Sequence, residues 1–394
     1  MIFPYRGEHY KMMRMKVCGD LGQVLFCPFE LRDEDSIRRA VAHSNIVINC
    51  TGRGFETMNF NYEDINVTGP ATLARICKEM GVQRFVHFSH LNARQEPEVV
   101  FLPGGSQFLK TKYQGELAVK AEFPEATIFR CADVYGQGDN FINFWFSRWR
   151  KNIKKGVSLY GKGELTVKQP IFRSDLVDGV MASLHDPSAL GQIYEAVGPQ
   201  RLTQKELLIY MYALTTRLIE DETFHIKELM LDPEAFIKSF IAQKIKIGNL
   251  NVFHSSSLDR LERDSVTDTS EGFPEITELG VKLHSIEDRI PWEVEPFDLY
   301  AYYHYETPEE KHVVRKPHYV TLDEVRGSVE CGLQLTLLYI LRREPSEPRS
   351  LEVWPPLYPG QNWSCNLLEA ALVRNIRVIN IIVMSILTGE RYKS

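Results

Sequence analysis

Residues 46–92 constrain the fold most, because they contain a buried strand, a helix and a second buried strand in direct succession. The apolar runs at 46–50 and 85–89 have the length and the β-branched and aromatic content of buried strands. Pro70 marks the start of the intervening helix and Gly81 its end. The apolar stripe of that helix comprises Leu73, Ile76, Cys77 and Met80. This order predicts two parallel strands joined by a right-handed crossover.

Strands and helices alternate on both sides of this unit. Further strands are predicted at 1–5, 23–29 and 126–131. Asp33 or Asp35 begins a helix whose apolar face comprises Ile37, Ala40 and Val41. The alternation predicts an α/β fold with a doubly wound, Rossmann-like parallel sheet. Residues 1–5 would be its second strand, so we expect this sequence to lack the first strand and the glycine-rich phosphate turn that follows it.

Changes of pattern divide the 394 residues into three predicted regions. Residues 1–216 form the NAD(P)-binding sheet domain, and 217–325 form a smaller mixed α/β domain that includes a charged helix at 258–264. Residues 326–394 form a partly proline-rich tail of no recognised type. The apolar run in this tail, 378–387, is too short to cross a bilayer, which takes about 20 residues.

Charge and cysteine content exclude several classes of function. The net charge of -6 and the pI near 6.0 provide no basic surface for nucleic acid. The seven cysteines are scattered and form no CxxC pair, which predicts reduced thiols and neither a disulfide framework nor a zinc site. The N-terminus has no recognisable targeting peptide, so we expect any organelle address to lie upstream.

Ligands of doubly wound sheets bind beyond the carboxyl ends of the strands, so the residues that follow each strand form the candidate site. Arg6 follows the strand at 1–5, where an arginine is placed to neutralise the 2′-phosphate of NADP through bidentate hydrogen bonds. The alternative is that Arg6 is a solvated loop arginine, and the sequence favours neither role. The other residues at strand ends are Glu30, Leu31, Thr51, Gly52, Arg53, Ser89, His90, Cys131 and Ala132.

Four stretches together resemble an extended or atypical short-chain dehydrogenase/reductase. They are VINCTG, NFNYEDINVTGPATLARICKEMGVQRFVHFSHLNA, FRCADVYGQGDNF and VKQPIFRSDLVDGV. Within that superfamily, GDLGQVLF and DEDSIRRAVAHSNIVIN are similar to an accessory subunit of mitochondrial respiratory complex I. The resemblance covers residues 2–215, weakens after them and fades near residue 325.

The resemblance implies a peripheral protein on the matrix side of the mitochondrial inner membrane. Its partners would be other subunits of complex I, and it would hold NADPH without turning it over. The resemblance assigns the 2′-phosphate to Arg6, the path of the dinucleotide to Thr51 and Gly52, and the nicotinamide ribose to Ser89 and Lys112. Glu30 stands where an aspartate is usual at the adenine edge. Without the glycine-rich turn, we expect NADPH to be held weakly or lost.

Enzymes of that superfamily carry a tyrosine and a lysine at i and i+4, on one helix face. The lysine lowers the pKa of the phenol, which protonates the substrate carbonyl. These positions align with Phe108 and Lys112, and a phenyl ring has no proton to give. Tyr113 is turned by about 100° from Lys112 around the helix axis and cannot restore the pair. We therefore predict a catalytically silent site, in which Lys112 either binds ribose or is a solvated helix lysine.

Two alternatives to an accessory subunit remain: an active NADP-dependent reductase or epimerase, and a nucleotide sensor that binds a regulatory partner. His87 and His90 are spaced as HxxH, but on a strand they point to opposite faces, which disfavours a shared metal. A cluster of four tyrosines fits either contact with a membrane surface or packing within the second domain, and the sequence favours packing. The four residues are Tyr300, Tyr302, Tyr303 and Tyr305.

Overall fold

The computed structural model describes residues 1–20, 22–146, 156–215, 225–244, 257–298 and 314–320. The strands are β1 (Ile2–Tyr5), β2 (Leu25–Pro28), β3 (Ile46–Asn49), β4 (Arg84–His90), β5 (Thr127–Cys131), β6 (Val134–Tyr135), β7 (Val157–Leu159), β8 (Val167–Lys168), β9 (Ile171–Phe172), β10 (Ile193–Ala196), β11 (Leu202–Thr203) and β12 (Ile226–Glu228). The α-helices are α1 (His9–Met12), α2 (Glu34–Val41), α3 (Gly69–Glu79), α4 (Gln107–Glu122), α5 (Ile142–Phe146), α6 (Arg173–His185), α7 (Gln204–Leu214), α8 (Pro233–Lys244), α9 (Leu258–Ser265) and α10 (Ile286–Val294). A π-helical turn, Asp64–Thr68, runs directly into α3.

The unit β3–α3–β4 confirms the prediction for residues 46–92. The two strands are parallel, with Ile46 opposite Arg84 and Asn49 opposite His87. Gly81 follows α3 with a φ of 73°, in the left-handed region that favours glycine, so it ends the helix as predicted. At the start of α2, Asp33 and not Asp35 is the cap, because its carboxylate accepts a hydrogen bond from a backbone N–H of the first turn.

Hydrogen bonding divides the predicted sheet into two separate ladders. β1 pairs with β2 in parallel, while the larger sheet is parallel in the order β10-β5-β4-β3. The doubly wound parallel fold is therefore confirmed. The two ladders are unconnected because no described residue supplies a strand between β1 and β3, the place that the first strand takes in a doubly wound sheet.

Apolar packing holds the two sheets together where hydrogen bonds do not. Leu31 and Ile37, which follow β2, share one buried cluster with Val47 of β3 and Leu73 of α3. An ideal Cβ built on Gly69 would lie 2.6 Å from Cδ2 of Leu31, so α3 approaches this segment only because residue 69 has no side chain. The segment that follows β2 is thereby held against β3 and α3.

The segment 257–298 packs against α4 and the loop before it through a helix whose charged side chains are buried. The predicted charged helix is α9, and all of its residues after the first are buried. Asp259 accepts hydrogen bonds at the N-terminus of α4. Glu262 accepts three from the backbone N–H groups of residues 100–102, with N–O distances of 2.6, 3.0 and 3.0 Å. This helix therefore anchors the loop that leads into α4.

Several sequence predictions fall outside the described residues. These are the tail at 326–394 with its apolar run, and the four tyrosines between 300 and 305. The domain boundaries at 216 and 325 stay predictions. Five cysteines lie in the described part of the chain, and the two buried ones, Cys77 and Cys131, are free thiols. Among the described helices, none combines the length and the hydrophobicity that a membrane crossing requires.

Candidate functional site

The ends of β3, β4 and β5 meet at one edge of the larger sheet. The parallel register aligns the end of β3 with His87 and the end of β4 with Cys131. Thr51 and Ser89, predicted from their places after the strands, therefore lie at the same edge as Cys131. Ser89 is 7% exposed, and its Oγ has no hydrogen-bond partner among the described residues. A buried hydroxyl without a partner is costly, which makes Ser89 a candidate ligand contact.

Lys112 reaches this edge from α4. Its Nζ donates a hydrogen bond to the backbone carbonyl of Phe88 at 3.1 Å. An ideal Cβ on Gly52 would lie only 3.5 Å from the same Nζ, so the glycine leaves the ammonium room beside the end of β3. Lys112 is 7% exposed, and this burial lowers its pKa to about 8. The alternative of a solvated helix lysine is therefore wrong.

Thr51 and Cys131 also lie at this edge of the sheet, and their side chains already interact within the protein. The backbone N–H of Thr51 donates to Oδ1 of Asn49 at 3.0 Å, and its hydroxyl donates to the same oxygen. Thr51 thus shapes the turn that presents Gly52. Burial raises the pKa of the Cys131 thiol to about 12, so this group stays protonated at neutral pH.

Phe108 occupies the centre of an aromatic and cationic cluster. The ring of Tyr62 packs against it edge-on with a centroid separation of 5.9 Å, and the ring of His90 does so at 6.1 Å. The Lys112 ammonium lies 5.8 Å from the Phe108 centroid, and the Arg263 guanidinium lies 4.3 Å from it. Both cations are within the range in which a ring face attracts positive charge.

Neither aromatic neighbour of Phe108 supplies the missing proton. The hydroxyl of Tyr62 donates to the backbone carbonyl of Gly54 at 3.1 Å, and burial raises its pKa. His90 accepts a hydrogen bond from the backbone N–H of Asn92 through Nδ1 at 3.1 Å. Burial, and then the charge of Arg263, lower the pKa of His90 well below its usual value, so no imidazolium proton is available at neutral pH.

A second cationic group lies at the ends of β1 and β3. Arg6 pairs with Glu30, at 3.3 Å between Nη2 and Oε1, and its guanidinium stacks over Phe60 at 4.8 Å. The Nη1 atom of Arg6 is buried and has no partner among the described residues. Burial, and then the charge of Arg6, lower the pKa of Arg53. Two arginines therefore lie close enough for their charges to interact, and the side chain of Arg6 is only 20% exposed.

Two residues differ from the expectations for the site. Leu31, predicted at its edge, has its side chain buried against Gly69 in the core. Arg263 enters the site although the sequence analysis did not identify it. Alternating charges in a short helix are typical of a solvated surface, so no local signal marks α9 as buried against Phe108.

The two histidines of the HxxH spacing have separate surroundings. His87 is fully buried, and its Nδ1 lies 3.0 Å from the side-chain nitrogen of Asn49. His90 instead packs against Phe108. Within the described ranges, no three His, Cys, Asp or Glu residues are grouped so that they could hold a metal ion.

Comparison with known proteins places the chain in a family. The model of the NAD dependent epimerase/dehydratase family matches residues 11–196. The mouse protein NADH dehydrogenase (ubiquinone) 1 alpha subcomplex subunit 9, mitochondrial, is 37% identical over 289 residues, which cover 73% of this chain and 71% of the mouse protein. The chain belongs to the subunit 9 family. The rat member of the subunit 9 family is 35% identical over 288 residues, with the same coverage.

Solved structures show the same fold. UDP-glucose 4-epimerase of Thermotoga maritima, solved with UDP-glucose, aligns with a TM-score of 0.50 and 16% identity, over 75% of this chain and 98% of the epimerase. Triphenylmethane reductase of Citrobacter sp. aligns with a TM-score of 0.52 and 12% identity, over 75% and 90% of the two chains. At these identities the likeness concerns the fold of the subunit 9 family and not its chemistry.

Proposed function

We propose that this chain is a non-catalytic accessory subunit of mitochondrial respiratory complex I that holds NADPH without turning it over. Its relatives are named as mitochondrial subunits of an NADH dehydrogenase (ubiquinone). The observation that carries the proposal is Phe108, which lies one helical turn before the buried Lys112 in place of a proton donor. In this proposal the protein lies peripherally on the matrix side of the inner membrane, in contact with other subunits of the complex.

The residues at the strand ends fit NADPH. Arg6, with its unpartnered Nη1, and the neighbouring Arg53 supply positive charge for the 2′-phosphate, while Glu30 stands beside them at the adenine edge. The unpartnered hydroxyl of Ser89 and the Lys112 ammonium would bind ribose hydroxyls.

The backbone of the remaining strand ends completes this proposed site. Gly52 leaves the backbone after β3 open to a close approach, and the backbone of Thr51, Arg53, Leu31 and Cys131 would border the dinucleotide. When bound, NADPH supplies a hydride donor. Because Phe108, Tyr62 and His90 provide no proton at neutral pH, a carbonyl oxygen placed here would gain no proton from them.

A cofactor held in this way contributes to stability. A ligand that binds only the native state stabilises it by mass action, by about 2.7 kcal/mol at a concentration 100 times the dissociation constant. A bound NADPH would contact both separate ladders, β1–β2 and β3–β4–β5–β10, because Arg6 follows one of them and Gly52 follows a strand of the other. We propose that NADPH thereby supports the folded state and assembly into the complex.

Blue-native electrophoresis of mitochondria that contain this chain tests the proposal. We expect the chain to migrate with complex I, and we expect alkaline extraction of the excised band to release NADPH. Migration as a free monomer would support a nucleotide sensor instead. Purified chain that oxidises NADPH with a carbonyl substrate at enzymatic rates would support an active reductase or epimerase.

A further inference from the structure

Arg263 is a buried cation for which the described residues provide no ion-pair partner. It is 6% exposed, and no carboxylate in the described part of the chain lies within 4.0 Å of its guanidinium. Burial lowers the pKa of Arg263, and the charge of Arg260 lowers it further. Buried charges are normally paired, because an unpaired one loses its hydration without compensation.

The carboxylates of the same helix are engaged by other groups. Asp264 accepts hydrogen bonds from Nε of Arg260 at 2.9 and 3.0 Å. Asp259 caps the start of α4, and Glu262 accepts three backbone N–H groups of the preceding loop. Arg263 therefore lies among acidic residues that do not neutralise it directly.

Two cations approach the ring of Phe108. The Arg263 guanidinium stacks over the ring, and its Nη2 would lie 3.5 Å from an ideal Cβ on Gly54. The Lys112 ammonium approaches the same ring, and the charge of Arg263 contributes to lowering its pKa. Two like charges held beside one buried ring favour an anion between them.

We propose that Arg263 and Lys112 form a subsite for a phosphate group in front of Phe108. A guanidinium presents a planar fork of donors that matches phosphate oxygens, and the ammonium has three donors, enough for a ribose hydroxyl and the phosphate together. The phosphate has two sources, the pyrophosphate of a bound dinucleotide or free phosphate. The first source rests on the proposed NADPH site, whereas the second does not depend on it.

Calorimetric titration of the full-length protein tests the subsite, with NADPH and inorganic phosphate as separate probes. The variants are Arg263→Gln, Arg263→Lys and Arg39→Gln. Arg39 is a matched control, because its side chain is 69% exposed and the change in net charge is the same. Circular dichroism verifies that each variant is folded. If Arg263→Gln does not fold, Arg263→Lys takes its place. This variant keeps the positive charge but loses the planar fork of guanidinium donors, and it is expected to weaken phosphate binding about three-fold.

We expect Arg263→Gln to weaken phosphate binding about ten-fold and Arg39→Gln to leave it unchanged within two-fold. If the dinucleotide is the source, the affinity of Arg263→Gln for NADPH falls by the same factor as its affinity for phosphate, and phosphate competes with NADPH. If free phosphate is the source, NADPH affinity is unchanged and both ligands bind together.

Two results separate this subsite from the proposed cofactor role. In the first result, wild-type protein binds NADPH, and the Arg263 and Arg39 variants have the same affinities for NADPH and for phosphate. This result overturns the subsite and leaves the cofactor role intact. Wild-type protein that binds phosphate through Arg263 but no NADPH supports the subsite and removes the cofactor role. Wild-type protein that binds neither probe overturns both.

Discussion

Lys112 and Phe108 lie one turn apart on α4, with the lysine ammonium 5.8 Å from the centre of the phenyl ring. The geometry of a proton-transfer pair is thus present without the hydroxyl group. Lys112 is buried and its pKa is lowered to about 8. The relation between these two residues leads to the first two predictions.

Wild-type protein is expected to oxidise NADPH no faster than the Lys112→Met variant when aldehydes and ketones are supplied. The reason is that Phe108 has no hydroxyl group and that Tyr62 and His90 supply no proton at neutral pH, so Lys112 has no phenol to activate. Loss of absorbance at 340 nm over hours measures the rate. A wild-type rate at least about ten-fold above that of the variant would show that the site is catalytic.

Ligand-free Lys112→Met protein is expected to be more stable than wild type at pH 7. Burial lowers the folded-state pKa of Lys112 to about 8 from the ordinary lysine value of 10.5, which corresponds to a cost on the order of 3 kcal/mol while the lysine is charged. Between these two values the unfolded chain binds more protons than the folded one, so wild-type stability rises with pH. Urea unfolding at pH 7 and pH 9.5 measures the difference, which shrinks at the higher pH. A difference independent of pH would contradict this explanation.

Arg6→Ala is expected to lower the affinity for NADPH about ten-fold and to change the affinity for NADH by less than two-fold. Only NADPH carries the 2′-phosphate that Arg6 is proposed to neutralise. The matched control is Arg32→Ala, because Arg32 also stacks on Phe60, at 4.4 Å, but pairs with Asp64. Fluorescence titration with both nucleotides measures the ratio. Equal losses for NADPH and NADH would remove the assignment of the phosphate to Arg6.

Glu116→Gln is expected to destabilise the protein by about 3 kcal/mol, because it leaves Arg130 buried with reduced compensation. The side chains of Glu116 and Arg130 are each 3% exposed and are joined at 2.8 Å, and Arg130 also contacts Glu271. Leu117→Ala is the control, since Leu117 is 55% exposed and its truncation should cost less than about 0.5 kcal/mol. Urea denaturation compares the two, and similar stabilities would mean that the ion pair contributes little.

The parts of the fold that depend on local pattern were predictable from the sequence. The strands around α3 follow from two apolar runs, and Asp33 and Gly81 act at the ends of their helices as their chemistry requires. The division into two ladders was not predicted, since strand pairing depends on neighbours that are distant in sequence.

The candidate site was predictable only in part. Arg6 and Ser89 were identified from their places at strand ends, and Lys112 from the family resemblance. The burial of Lys112 and the stacking of Arg263 on Phe108 were not predicted. A helix of charged residues has the same sequence pattern whether its side chains meet water or a buried ring. The contact between Arg263 and Phe108 joins residues far apart along the chain, where no spacing rule applies.

The attachment of Glu262 to the backbone of residues 100–102 has a consequence for the order of events during synthesis. These hydrogen bonds span 160 to 162 positions, so the loop before α4 cannot acquire its final conformation until α9 has left the ribosome. The half of the site that contains Phe108 and Lys112 is therefore completed late. A nascent chain arrested before residue 257 would contain the sheet, but its nucleotide site would be incomplete around Phe108 and Lys112.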